Sequence, residues 1–564
     1  MKTLWNILLG LLKGERSKGV KAMESSRKVL NDSAATPSQQ EQDSDVIEEA
    51  KEALKVAEET YGSDHPYVAE SLNYLAELYK AKGKYAEAES LYKRSLAIME
   101  NEDGSDHPNV ATFLNKLAEL YEAQGKYAEA ESFYKRALAI YEKEFGKYHL
   151  NVTRFLYKMS GLYYIQGKYI EAELLCMRAL AIAEKTFGPD HLSFAKSLDA
   201  MAQLYYLQGK YTEAEPLYKR ALAIKEKVLR KDHPDIAEDL NSLAEMYASQ
   251  GKYTEAEAFC KRALAICKKE FGKYHPNVAA SLNNLAALYY TQGQYIEAEP
   301  LYKRALAIYE KTIGPAHLNV AGSLNNLAKL YAKQGKYAEA ESLCKQALAI
   351  MEKSFGTDHP NVTIPLNNLA EIYASQGKYA EAETFYKRAL VINEETLGPD
   401  HPNVAVSLNG LAGLYYNQGE YAEAESLWKK ALAIYEKALG SDHPEVAKPL
   451  NNLAEIYASQ SKYAEAETFY KRVLAVKGKA LRSDHPDLAT SLNNLAEVYR
   501  AEGKYAEADP LYKRALAIRE KAFGPDHPEV ATILENMAKL YEKIGMKDEA
   551  KELEERAKRI RSKN

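Results

Sequence analysis

The chain is poor in the features that most functional classes need. Nowhere in its 564 residues is there an apolar run of about 18, the length an ordinary membrane-spanning helix requires. Its net charge is only −5, which argues against a nucleic-acid binder working by phosphate neutralisation. Cysteine is scarce, four residues, and no Cys-x-x-Cys occurs. Cys260 and Cys267 are seven apart on one predicted helix, about 10 Å along it and beyond disulfide reach. The four neither require nor exclude a reducing compartment. Two Trp and 12 Phe stand against 43 Tyr, so the aromatic content is mostly tyrosine. With 46% hydrophobic and 27% charged residues, the composition is that of a chain that folds.

Histidine is absent from most of the sequence, and where it occurs it is regular. The residues are His65, His107, His149, His191, His233, His275, His317, His359, His401, His443, His485 and His527, every gap is 42, and none lies off the ladder. A fixed period in this range marks a solenoid or array. Superposed, the units share a near-consensus of His-Pro, then Leu-Asn-Asn-Leu-Ala, then Gly-Lys-Tyr, then Tyr-Lys-Arg-Ala-Leu-Ala-Ile. In the first unit Val68, Leu72, Leu75, Ala76 and Tyr79 recur at three and four residues, one apolar stripe on a helix. Asp64 or His65 can cap it, Pro66 suits its first turn, and Gly83 ends it. Tyr85, Ala88, Leu91, Tyr92, Ser95, Leu96 and Ile98 predict a second, longer helix closed by a Gly104-Ser105-Asp106 loop. Each unit is therefore helix A, turn, helix B, loop, and stacked neighbours supply the core that neither helix can bury alone. Cys176, Cys260 and Cys344 fall in the slot of Tyr92, Tyr134 and Tyr218, where burial is expected.

The pattern Leu72, Leu75-Ala76, Tyr79, Gly83, Tyr85, Ala88, Tyr92 resembles the tetratricopeptide signature, with Leu in its Trp slot. The 42-residue length, the His-Pro start and Leu-Asn-Asn-Leu-Ala resemble kinesin light chain repeats in particular, over residues 46–562, without the heptad coiled coil of that family. The resemblance implies an all-α fold, a right-handed α-solenoid superhelix of helix-turn-helix repeats, in which helix A lines a concave groove that binds extended peptides. The expected organisation is a basic amphipathic segment at 1–30, a disordered linker at 31–44, a capping helix at 45–64, the repeat array at 65–545, and a charged capping helix at 546–564. For residues 1–28 three readings stand: an atypical signal peptide, a basic amphipathic helix on a membrane surface or partner, and a helix packed on the solenoid or a frayed tail.

Repetition also limits the chemistry. A catalytic site needs a unique convergence of groups, and fewer than fifty residues lie outside the array, so no enzyme, cofactor or metal site is expected. Equivalent histidines are a repeat's thickness apart, on the order of 10 Å, too far to share a zinc ion with its bonds of about 2 Å. Helix capping or bonding across the loop is the reading preferred for them. The recurring Lys-Arg pair (Lys93-Arg94, Lys135-Arg136 and six more) is preceded by an acid four residues earlier, the favourable order for a self-neutralised helix surface.

Binding therefore falls to helix A. The Asn row, Asn73, Asn115, Asn241, Asn283, Asn284, Asn325, Asn326, Asn367, Asn368, Asn409, Asn451, Asn452, Asn493 and Asn494, offers donors and acceptors to an extended backbone. Kinesin light chains use similar Asn in their cargo groove, a role the resemblance extends to these positions. The alternative is that some bond between neighbouring A helices. Selectivity is expected from departures in repeats 3 and 4, namely Arg154, Tyr157, Lys158, Lys196 and Asp199, whose positive and aromatic character predicts acidic-aromatic peptides. Drift without a ligand is the alternative. Pro365 and Pro449 should kink or delay helix A, and Ser461 replaces a turn Gly. The expected function is a non-enzymatic, cytoplasmic protein-binding scaffold, with membrane-surface contact or secretion left open by residues 1–28. A self-associating structural solenoid is the alternative.

Overall fold

Residues 39–81, 84–481 and 484–563 are described by the computed structural model. The expectations for residues 1–30, for residues 31–38 and for Gly83 lie outside them. Among the described residues there are 25 α-helices, two 3₁₀ turns and no strand, an all-α repeat solenoid. The chain divides into two compact units, a first one up to Leu162 that also takes Lys353–Thr357, and a second of Tyr163–Glu352 with Asp358 onward. A helix Gln39–Tyr61 precedes the first repeat. It begins six residues before the expected start, so residues 39–44 are helical and not linker. Gln39, Gln40, Glu41 and Gln42 are good helix formers, a preference that their polar composition masked.

Helix A and helix B alternate from there. Repeat 5 shows the pattern, with helix A at Pro234–Ser249 and helix B at Tyr253–Phe271. Ile236, Ala237, Leu240, Leu243, Ala244, Met246 and Tyr247 of the first pack on Ala256, Cys260, Ala263 and Ile266 of the second, all buried. Each such large side chain contributes about 1.5–3 kcal/mol on leaving water.

All twelve histidines cap helix A. The Nδ1 of each accepts the backbone N–H two residues on, at 3.0 to 3.3 Å. In repeats 8 and 10 the first turn is 3₁₀ (Pro360–Val362 and Pro444–Val446), and the α-helix starts at Thr363 and Ala447. Pro365 and Pro449 lack the N–H that a first α-turn would use, which delays the helix without breaking it. Ser461 takes φ 58° in the turn where Gly377 has 74°, a strain of about 1–2 kcal/mol for a residue with a Cβ.

Within the second unit the chain returns to itself. His401 Nε2 lies 2.5 Å from the carbonyl oxygen of Ile165. His443 and His485 also face the carbonyls of Leu207 and Ser249, but their buried Nε2 atoms stop short of a hydrogen bond. Tyr253 stacks on Phe523 with ring centroids 6.0 Å apart. Ile165, Leu207 and Ser249 end helix A of repeats 3 to 5, and the histidines open helix A of repeats 9 to 11. The seam thus joins repeats six apart and advances one repeat on each side together. The tautomer follows from the caps: Nδ1 accepts, so Nε2 holds the hydrogen, and at His401 it donates to the Ile165 carbonyl.

Candidate functional site

Helix A buries one side against helix B and leaves a stripe uncovered at the fifth, ninth and twelfth residues after each His. In repeat 5 these are Glu238, Ser242 and Glu245. In repeats 6 to 9 the stripe loses its charge over the first two positions, which read Ala280, Gly322, Ile364, Val406 and then Asn284, Asn326, Asn368, Gly410, although Asn368 is buried and Tyr386 closes over Gly410. Ile364 is 50% and Val406 46% exposed, and Ala287 and Gly413 stand at the twelfth position of repeats 6 and 9. Gly322 and Gly413 have no positive φ, and a Cβ on either would meet no neighbouring atom within 4 Å. A glycine inside a helix costs about 1 kcal/mol against alanine, and packing gives neither a reason.

The predicted amides divide into two sets. Some are spent between neighbouring A helices: Asn283 donates to Ser323 Oγ at 2.9 Å, Asn367 to Ser407 Oγ at 3.4 Å, Asn368 to Asn325 Oδ1 at 3.4 Å and Asn452 to Asn409 Oδ1 at 3.0 Å. Asn493 accepts from Asn536 at 3.2 Å and donates to Asn494 at 3.5 Å. Asn115, Asn325 and Asn368 are buried, and Asn115 donates to Glu119 at 2.9 Å. Asn284 is exposed; Asn73, Asn241, Asn326 and Asn451 are half-buried.

The charged departures of repeats 3 and 4 fall in different units, and in each unit a lysine among them has acidic neighbours. In the first unit Arg154 and Lys158 are exposed and Tyr157 is half-buried, but Lys158 Nζ lies 3.3 Å from Glu119 Oε1. Glu119 is half-buried, which opposes its ionisation. Lys158, the Asn115 amide, Lys80 and Lys116 outweigh that and hold its carboxyl below the usual range.

In the second unit Lys196 and Asp199 line a cavity of 580 Å³ between the A helices of repeats 4 and 5, together with Gln203, Tyr218, Lys225, Asp235, Glu238, Asp239 and Ser242. Asp199 is already engaged. Lys225 Nζ, on a side chain 5% exposed, lies 2.7 Å from Asp199 Oδ2 and 2.5 Å from Asp239 Oδ1. Burial pushes both carboxyls up, and the charge of Asp199 adds to that at Asp239, while Lys225 pulls the other way. Asp199 Oδ1 and Asp239 Oδ2 are buried without a hydrogen-bond partner.

Sequence reasoning missed Lys225, Asp235, Glu238 and Asp239. A signal existed. Lys225 stands in the slot of Met99, Tyr141 and Cys267, and Asp239 in the slot of Ser197, Ser281 and Ser323, so two opposite charges enter adjacent positions of the core together. The Lys-Arg pairs behave as expected. Lys93, Lys219, Lys303 and Lys387 each sit 2.6 or 2.7 Å from the acid four residues earlier, and Arg136, Arg262 and Arg388 reach a glutamate on the preceding helix B. Cys176, Cys260, Cys267 and Cys344 are buried and form no disulfide; burial pushes the Cys260 thiol up to about 12. Among the described residues no helix is long and apolar enough to cross a membrane.

The family model described as tetratricopeptide repeat matches residues 47–101, 72–143, 151–227, 235–311, 319–395, 363–427, 403–479 and 487–563. Among solved structures, a kinesin light chain with nearly identical TPR-like repeats from Podosopora anserina is 31% identical, matched over 36% of this chain and 97% of that one, with a TM-score of 0.32. BtubC (BKLC) from P. vanneervenii is 26% identical over 41% and 91%, with a TM-score of 0.33. A Rap protein complexed with competence and sporulation factor is 16% identical over 65% and 98%, with a TM-score of 0.44. No curated protein matches the sequence.

Proposed function

The chain belongs to the tetratricopeptide repeat family, a family of protein-interaction scaffolds, and from that premise we propose that it binds an extended peptide segment along the uncovered stripe of its A helices. The reading keeps the chain non-enzymatic and cytoplasmic. Its main support is the stripe of repeats 6 to 9, where exposed Ile364 and Val406 and the unexplained glycines Gly322 and Gly413 lie beside the amides Asn284 and Asn326. Small residues let a second backbone approach, amides bond to it, and the two aliphatic side chains offer it apolar surface. In the first unit Arg154, Tyr157 and Lys158 keep the preference for an acidic-aromatic segment.

Selection of peptides from a random library on the intact chain tests this. Ile364→Lys with Val406→Lys places two ammonium groups where apolar side chains would settle. The selected peptides are expected to lose at least about tenfold in affinity, roughly 1.4 kcal/mol, with circular dichroism unchanged. Equal affinity in the double variant overturns the reading.

A further inference from the structure

We infer that the cavity between the A helices of repeats 4 and 5 is a site for an organic cation, the guanidinium or ammonium of a basic side chain in the bound segment. This rests on the groove reading above and gives it a charge sense opposite to that expected for repeat 4 from its sequence.

The lining sets four carboxyls, Asp199, Asp235, Glu238 and Asp239, against two ammonium groups, Lys196 and Lys225. Lys225 is committed to Asp199 and Asp239, so one lysine serves two carboxylates. Asp239, only 3% exposed, lines the cavity and leaves its Oδ2 without a hydrogen-bond partner. A buried carboxylate oxygen with no donor is a deficit that a charged donor corrects. At the mouth Glu238 is exposed and Asp235 half-buried, so a cation enters past accessible carboxylates before it meets the buried pair. The volume of 580 Å³ exceeds what one side chain needs and suits a side chain with its backbone. Repeat 6 follows with the uncharged stripe at Ala280, Asn284 and Ala287. A segment with Arg over repeats 4 and 5 and small apolar residues against the fifth and ninth positions of repeats 6 to 9 therefore meets complementary chemistry at both ends.

The intact chain is titrated with two fluorescein-labelled nine-residue peptides of Ala, Val and Ser, one with three Arg at one end and the other with three Glu there. Argininamide and spermidine are titrated separately by calorimetry. The Arg peptide is expected to bind at least about tenfold tighter than the Glu peptide, with the preference falling to about twofold in Asp235→Asn with Glu238→Gln, a variant that leaves the buried pair and the core in place. Argininamide is expected to bind the native chain and to lose that binding in the variant. Spermidine competing as well as the Arg peptide would make the source a free polyamine and overturn the peptide assignment. Equal binding of the two peptides, or a preference unchanged in the variant, overturns the cation site and leaves the groove standing. A chain that binds neither peptide but binds argininamide through Asp235 and Glu238 overturns the groove and leaves the cation site.

Discussion

Gly209 shows what a single residue contributes to the seam. Its φ is +69°, and a Cβ there would stand 2.6 Å from Cδ of Pro444. Gly377 has φ +74° in the corresponding turn of repeat 8, with open space around it. Gly377→Ala is expected to cost only the left-handed strain, about 1–2 kcal/mol. Gly209→Ala must add the overlap with Pro444 and shift the denaturation midpoint further; equal shifts would show that the contact is not formed in solution. Ser461 occupies an exposed turn of repeat 10, where its Cβ is tolerated at the price of strain alone. Lys225 is the second residue-scale case. Lys225→Met leaves Asp199 and Asp239 facing each other in the core, and a loss of about 3–5 kcal/mol is expected in chemical denaturation. Lys225→Cys with Asp239→Ser copies the Cys267 and Ser281 pairing found one repeat later and should recover most of it. A Lys225→Met variant as stable as the native chain would mean that the ion pairs contribute nothing.

At the scale of elements, the histidines that start the A helices act in two ways. In repeats 2 to 4 the His side chains are exposed; each caps its helix, and His149 and His191 also stack on Phe145 and Phe187. In repeats 9 to 11 the same residue also docks on the end of an earlier helix A. Burial lowers the pKa of His401, His443 and His485 below the usual imidazole value, partly offset by the carbonyls they face; His359 is pushed down to about 4. A folded-state pKa below the unfolded value of about 6.5 means that the folded chain binds fewer protons. The associated stability is complete above about pH 6.5 and is lost as pH falls through the folded values. Glu445, Lys448, Asp487, Lys477 and Arg519 also act on these rings, with Glu445 and Asp487 favouring protonation. Amide protection factors at 165–169, 207–211 and 249–253, corrected for the intrinsic slowing of exchange with falling pH, are expected to drop between pH 7.5 and 5, ahead of those in the turns of repeats 7 to 9. A uniform drop across all turns would remove the seam as its cause. The A–B pairing itself was legible in the sequence, because the apolar spacing of Val68, Leu72, Leu75 and Ala76 recurs in every unit. The seam was not, because the His401-Pro402 start that docks is shared by His107-Pro108, whose histidine is exposed.

For the whole molecule, stability passes from neighbour to neighbour, so an end should unravel by whole repeats. Lys547–Lys563 contributes Ala557 and Ile560 to a cluster with Val530, Ala531 and Leu534 of the last helix A, Pro528–Ile544. Truncation after Gly545 is expected to lose the helicity of both, 17 residues each, measured by circular dichroism; loss of only the removed helix would show that the last helix A stands alone. The sequence by itself determined the repeat period, the helix pairs, the histidine caps and the self-neutralised outer face, since each follows from residues within one unit or its immediate neighbour. Through the resemblance it also raised the expectation that helix A binds, and it marked Arg154, Lys158, Lys196 and Asp199 as departures. Only the tertiary structure decided which Asn are spent between helices, that Asp199 answers to Lys225 and Asp239, and that repeats six apart meet. Those outcomes depend on burial and on distances between residues 14 to 236 positions apart, and identical local sequences acquire different partners there according to their place along the solenoid.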